Sequence, residues 1–256
     1  MNNNELKYDT VSNRTVTFMP CVNNESSHYA KAVHILQEQC EKEHNRMHPR
    51  TIIRTGLFKK SEVYRPLTLT ESVEAVVDWF ETLYDSSTGH KRTEDQRLIL
   101  PRACIDTDTG VVRKGNSTKF KIISESKQLI TLEESFAEKD ISINYRRTDG
   151  IELDLRMGYN KQVPEDKLVD LLTPIFEGKR ALAKAYSSVV SIIIKKNGNG
   201  EQAGVYVPRL TNGTALLSMY IKSLNNIPSV CVKPVLDHEC SFLRVIPVKK
   251  PTEQEM

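Results

Sequence analysis

The clearest hydrophobic periodicity lies in residues 71–84, where Val73, Val76, Val77, Phe80, Leu83 and Tyr84 form an apolar stripe at helical spacing. Thr70 stands at an N-cap position, and Glu71 and Glu74 suit the positive end of the helix dipole. Another helix is predicted over 26–47. Ser26 or Ser27 opens it, and Tyr29, Val33, Leu36 and Cys40 share one face. Pro49 discourages continuation past His48. Between these two helices, 51–58 and 62–69 read as strands.

The middle of the chain alternates with period two. Residues 97–105 and 119–124 are strand candidates, and Asp106-Thr-Asp-Thr-Gly110 has the composition of a turn. Residues 128–138 suit a short helix. Over 141–157, Ile141, Ile143 and Tyr145, then Ile151, Leu153, Leu155 and Met157, alternate on either side of Asp149-Gly150, the pattern of a hairpin.

In the last third, Pro164 fits a first helical turn and Leu168, Leu171, Leu172 and Ile175 follow on one face. Pro174 and Gly178 mark a break before a helix over 179–188. The β-branched run 189–196 predicts a strand, turned by Asn197-Gly-Asn-Gly200 into a return strand over 203–210. A helix is expected over 214–224. Strands over 229–235 and 242–248 carry or adjoin proline, which places them at sheet edges.

The sum is an α+β fold, mainly antiparallel, with four to six helices in a single domain or two intimately packed halves. Residues 1–12 and 249–256 read as flexible ends. The domain spans 13–248, with room for a subdivision near 160–178.

Composition narrows the setting. The 256 residues are 39% hydrophobic and 27% charged, too apolar for a disordered chain. No run approaches the roughly 18 to 20 apolar residues of a membrane span. The start of the chain lacks the cationic and apolar regions of a signal peptide, so a cytoplasmic or nuclear location is expected. The five cysteines are odd in number and form no Cys-x-x-Cys pair, which points to reduced thiols.

Common catalytic signatures are absent: no phosphate-binding glycine loop, no Gly-x-Ser-x-Gly elbow and no His-Glu-x-x-His. Two looser constellations remain. Cys40, His44 and His48 fall four residues apart, a spacing that suits zinc on one helix face. Cys40 also continues an apolar face, and the simpler reading has no metal and no cofactor. Glu152, Asp154 and Arg156 share one face of the hairpin, as the carboxylates of a Mg²⁺-dependent nuclease would. A solvated strand face has the same pattern, and no catalytic residue is assigned.

Charge distribution carries more. Residues 179–256 hold eleven Lys and Arg against five acids, a net +6, while the whole chain is +3. Lys179, Arg180, Lys184, Lys195, Lys196 and Arg209 would neutralise phosphates, and Tyr186 or Tyr206 would stack on unpaired bases. The expectation is a non-enzymatic nucleic-acid-binding protein, for RNA or single-stranded DNA, acting as a homo-oligomer. Two alternatives stand beside it. One is a shell, matrix or scaffold protein that works by self-association, and the other is the Glu152/Asp154 nuclease.

Overall fold

The computed structural model describes residues 7–9, 15–19, 29–47, 65–83, 104–113, 120–123, 165–197, 205–206, 215–224, 227–234 and 242–246. Among them are four helices and eight strands. The helices are α1 (Tyr29–Met47), α2 (Leu69–Leu83), α3 (Glu165–Ile175) and α4 (Arg180–Asn197). The strands are β1 (Lys7–Asp9), β2 (Thr15–Met19), β3 (Cys104–Arg113), β4 (Phe120–Ile123), β5 (Val205–Tyr206), β6 (Ala215–Leu224), β7 (Ile227–Pro234) and β8 (Phe242–Ile246). They form one sheet in the order β1-β2-β8-β3-β6-β7-β5, with β4 paired to β3. Only the β3–β8 and β5–β7 pairings are parallel, so the class is α+β and mainly antiparallel.

One face of the sheet packs against α2, α3 and α4. Met219 and Ile221 of β6, Val230 and Val232 of β7, and Ile105 and Val111 of β3 join Val73, Phe80, Leu172, Ile175, Ala183 and Val190 in one core. Truncating a side chain buried like Leu172 to alanine costs about 2–5 kcal/mol. Strand alternation sends Ser218, Tyr220 and Lys222 of β6, and Ser229 and Cys231 of β7, to the opposite face. Phe242 pairs with Asp106 across β8 and β3, and its ring meets that of Tyr29 edge-on at 6.0 Å. Tyr29 thereby ties the start of α1 to the sheet.

Helix α2 starts two residues before the predicted 71, at Leu69, and Thr68 is its cap in place of Thr70. The Thr68 hydroxyl accepts from the Glu71 amide at 3.2 Å, and Glu71 Oε2 accepts from the Thr68 amide at 2.8 Å. This reciprocal capping box satisfies two amides that the helix itself leaves open. Pro174 lies inside the last turn of α3 and does not break it. The chain reverses beyond it, where Glu177 and Gly178 take left-handed φ values of 56° and 81°. The Gly178 amide donates to the Thr173 carbonyl and the Glu177 amide to the Pro174 carbonyl, closing a Schellman motif.

Several expectations are corrected. The predicted strand 189–196 is the second half of α4. Its β-branched residues favour a strand, but Ala183, Tyr186 and Val190 continue a buried helical face, and packing outweighs propensity. Position 203–210 is therefore no return strand from 189–196: its described part, β5, pairs parallel to β7. The predicted helix 214–224 is β6, where Met219 and Ile221 alternate with Ser218, Tyr220 and Lys222. Strands β7 and β8 are interior to the sheet, not at its edges. The Pro228 and Pro234 of β7 are accommodated because its ladder with β5 covers only Val230 and Cys231. Lys7–Asp9, within the stretch expected to be flexible, pairs with β2. From the predicted strand 62–69, Arg65–Thr68 has no regular structure and Leu69 opens α2. Residues 51–58, 128–138 and 141–157 lie outside the described residues.

The turn predicted at Asp106–Gly110 lies inside β3. Asp106 pairs with Tyr220 and Gly110 with Ser218, so Thr107, Asp108 and Thr109 together stand opposite Met219 alone. This three-against-one bulge is wholly enclosed, with Asp106, Thr107, Asp108 and Thr109 all buried.

Candidate nucleic-acid interface

The structure joins four of the predicted phosphate-binding residues on one helix. Lys195 and Lys196, expected beside a hairpin turn, lie in the last turn of α4, the helix that starts at Arg180 and carries Lys184. Arg180, Lys184 and position 195 fall within about 60° of one another around the helix axis, given 100° per residue. The buried positions Ala183, Tyr186, Val189 and Val190 take up the rest of the circumference, and buried Ser187 borders the cations, about 20° from Arg180. The outward side carries exposed Arg180, Ala181, Lys184 and Ile192, with Ser188 and Ser191 half-buried between them. From Arg180 to Lys195 the helix rises about 22 Å.

Two cations at the amino-terminal end already have partners. Lys179 Nζ lies 2.7 Å from Glu74 Oε1 on α2, and Arg180 Nη1 lies 2.7 Å from Asp170 Oδ1 on α3. The side chains of the second pair are 66% and 65% exposed. Pairs so open to solvent contribute about 0–1 kcal/mol, so a phosphate can replace the carboxylate at little cost. Lys184 forms no ion pair among the described residues. Lys195 and Lys196 occupy the last turn of α4, a position that suits a cation on account of the helix dipole, whether or not a ligand is present.

Of the two tyrosines expected to stack, Tyr186 lies in the core. Tyr186 is 2% exposed, its hydroxyl donates to the Pro228 carbonyl at 2.7 Å, and its ring meets Phe176 edge-on at 5.7 Å. Its stacking role is corrected: it is a core residue with a satisfied polar end. Tyr206 lies on β5 in register with Cys231. Arg209 lies outside the described residues, as do Glu152, Asp154 and Arg156 of the nuclease alternative.

A second polar assembly centres on the β3 bulge. Thr107 Oγ1 donates to the Met219 carbonyl at 2.7 Å and accepts from the Thr109 amide at 3.3 Å. Thr109 Oγ1 accepts from the Leu69 amide at 2.9 Å, and the Asp108 amide donates to the Leu67 carbonyl at 2.8 Å. The Tyr29 hydroxyl donates to the Thr107 carbonyl at 2.8 Å. The bulge thus locks α1, the start of α2 and β6 together. Beside it, burial above all, then Cys231, Cys104 and Asp106, push the Tyr220 phenol far above its ordinary value. Composition disguised this segment, because Asp and Thr beside Gly are also what a surface turn contains. The flanking apolar residues Ile105 and Val111 were the available signal for continuous strand.

Cys40 is buried on the apolar face of α1, and His48 lies outside the described residues. No group of three His, Cys, Asp or Glu suited to a metal ion occurs among the described residues. No described helix is long and apolar enough to cross a membrane. No protein-family model, curated protein or solved structure matches the chain.

Proposed function

We propose that this chain binds nucleic acid through the outward face of α4 and performs no chemistry on it. The observation that carries the reading is the continuity of α4 from Arg180 to Asn197, which aligns Arg180, Lys184 and Lys195 on one side of a single helix. A line of cations backed by a rigid core neutralises phosphates without first having to be ordered, so little conformational entropy is lost on binding. The net +6 of residues 179–256 adds a longer-range attraction to polyanions. Self-association and a cytoplasmic or nuclear setting complete the proposal, both from composition.

Charge reversal tests it. Lys179 and Arg180 are poor targets, because a glutamate at either would face Glu74 or Asp170. Replacing Lys184 and Lys195 together by Glu leaves both ion pairs intact. Fluorescence polarisation with labelled oligonucleotides at about 50 mM salt should show binding by the wild type and at least about tenfold weaker binding by the double variant. Equal affinity in a folded double variant rejects α4 as the interface. Absence of binding by the wild type rejects the function and leaves self-association, read by light scattering, as the reading to pursue.

A further inference from the structure

Building on that reading of α4, we infer that the ligand of this face is a nucleic-acid double helix, held by its phosphates and not by stacked bases. Tight, sequence-tolerant capture of a single strand relies on aromatic platforms, worth about 1–3 kcal/mol for each stacked base. The described outward residues of α4 are Arg, Lys, Ala, Ser and Ile, with no aromatic ring among them. Tyr186, on the same helix, is enclosed in the core with its hydroxyl on Pro228. Tyr220 is excluded by topology. Its neighbours Met219 and Ile221 face the helices, so Tyr220 belongs to the far side of the sheet from α4.

On the described face of α4 what remains is charge, and charge alone favours the duplex. Each phosphate neutralised releases about 0.9 counterion from a B-form duplex against about 0.7 from a single strand. A duplex also presents one charge per roughly 1.7 Å of axis, counted over both strands, so cations spread over about 22 Å meet a higher charge density than a single strand offers. The short side chains of Ala181, Ser188 and Ser191 leave the helix surface low between Arg180, Lys184 and Lys195, which permits close approach of a backbone.

The test is a comparison on the intact chain. A labelled DNA duplex of about 20 base pairs and each of its separated strands are titrated by polarisation between about 50 and 200 mM salt. The inference expects the duplex to bind at least about tenfold more tightly at the low-salt end, with the steeper loss of affinity as salt rises. The Lys184→Glu/Lys195→Glu variant should lose most of the duplex preference, while circular dichroism confirms that it is folded. Single strands that bind as tightly as the duplex, or more tightly, overturn the inference and leave the binding function standing. Failure of both probes to bind at the lowest salt overturns inference and function together.

Discussion

The Tyr186 hydroxyl, on α4, donates to the carbonyl of Pro228 on β7 across 2.7 Å of the protein interior. This bond fastens the back of the basic helix to the sheet, and it turns a tyrosine that resembles a stacking residue into a strut. Tyr186→Phe should lower stability by about 1 kcal/mol, the ordinary net worth of a buried hydrogen bond, plus any cost of the carbonyl left unpaired. Chemical denaturation measures the loss. Nucleic-acid affinity should be unchanged; a large fall in affinity with the fold intact would return Tyr186 to the interface.

Glu71 makes the fold acid-sensitive at a defined place. Burial alone would raise its carboxyl, but the bond and charge of Arg65 together with the bonds from Thr68 outweigh it and hold the group below its ordinary 4.5. Both Arg65 Nη atoms donate to it at 2.8 Å. A carboxylate whose value is lower in the folded state contributes stability that is complete above the unfolded value and disappears as pH falls through the folded one. The denaturation midpoint of the wild type should therefore fall below about pH 4.5 more steeply than that of Glu71→Gln. Parallel acid limbs would remove Glu71 from the acid response. At neutral pH, Thr68→Ala should cost about 1 kcal/mol through the same cap.

Glu177 holds the left-handed position of the Schellman turn between α3 and α4, where glycine is the usual occupant. A side chain in that conformation costs about 1–2 kcal/mol, part of which glycine returns as greater freedom of the unfolded chain. Glu177→Gly should consequently stabilise by about 0.5–1 kcal/mol, read as a higher thermal midpoint. The neighbouring Gly178 has open space where a Cβ would stand, so Gly178→Ala should cost only the backbone strain of φ 81°.

Thr107 is the hinge pin of the β3 bulge. Thr107→Val keeps its shape but removes the donor to Met219 and the acceptor for Thr109. With both partners enclosed, the expected loss is about 1–3 kcal/mol by denaturant titration. A neutral substitution would mean that the bulge relaxes to find other partners.

These residues also show where the sequence was legible and where it was not. Helix α2 was readable because Val73, Val76, Val77 and Phe80 repeat with one period and are buried as that period demands. Residues 189–196 carried two signals at once: strand propensity in their β-branched side chains, and helical spacing continued from Ala183 and Tyr186. Only packing against β7 and α2 decides between them. Over 214–224 the alternation of Met219 and Ile221 with Ser218 and Tyr220 was present but set among good helix formers. Asp106–Thr109 reads as exposed because polar residues are mostly exposed, and its burial depends on partners from 29 to 219, which no local window contains. For the candidate site, the cations were visible as residue types, but their alignment required knowing that one helix runs from 180 to 197.

The salt dependence of binding tests the central claim most directly. Polarisation titrations of the wild type and of Lys184→Glu/Lys195→Glu with one duplex, between about 50 and 200 mM salt, give the slope of log K against log salt for each. If α4 is the interface, the wild-type slope is steeply negative and the double variant loses about two units of it, one for each lysine removed from a phosphate. Identical slopes in two folded proteins would contradict the account, because the phosphates would then be neutralised elsewhere.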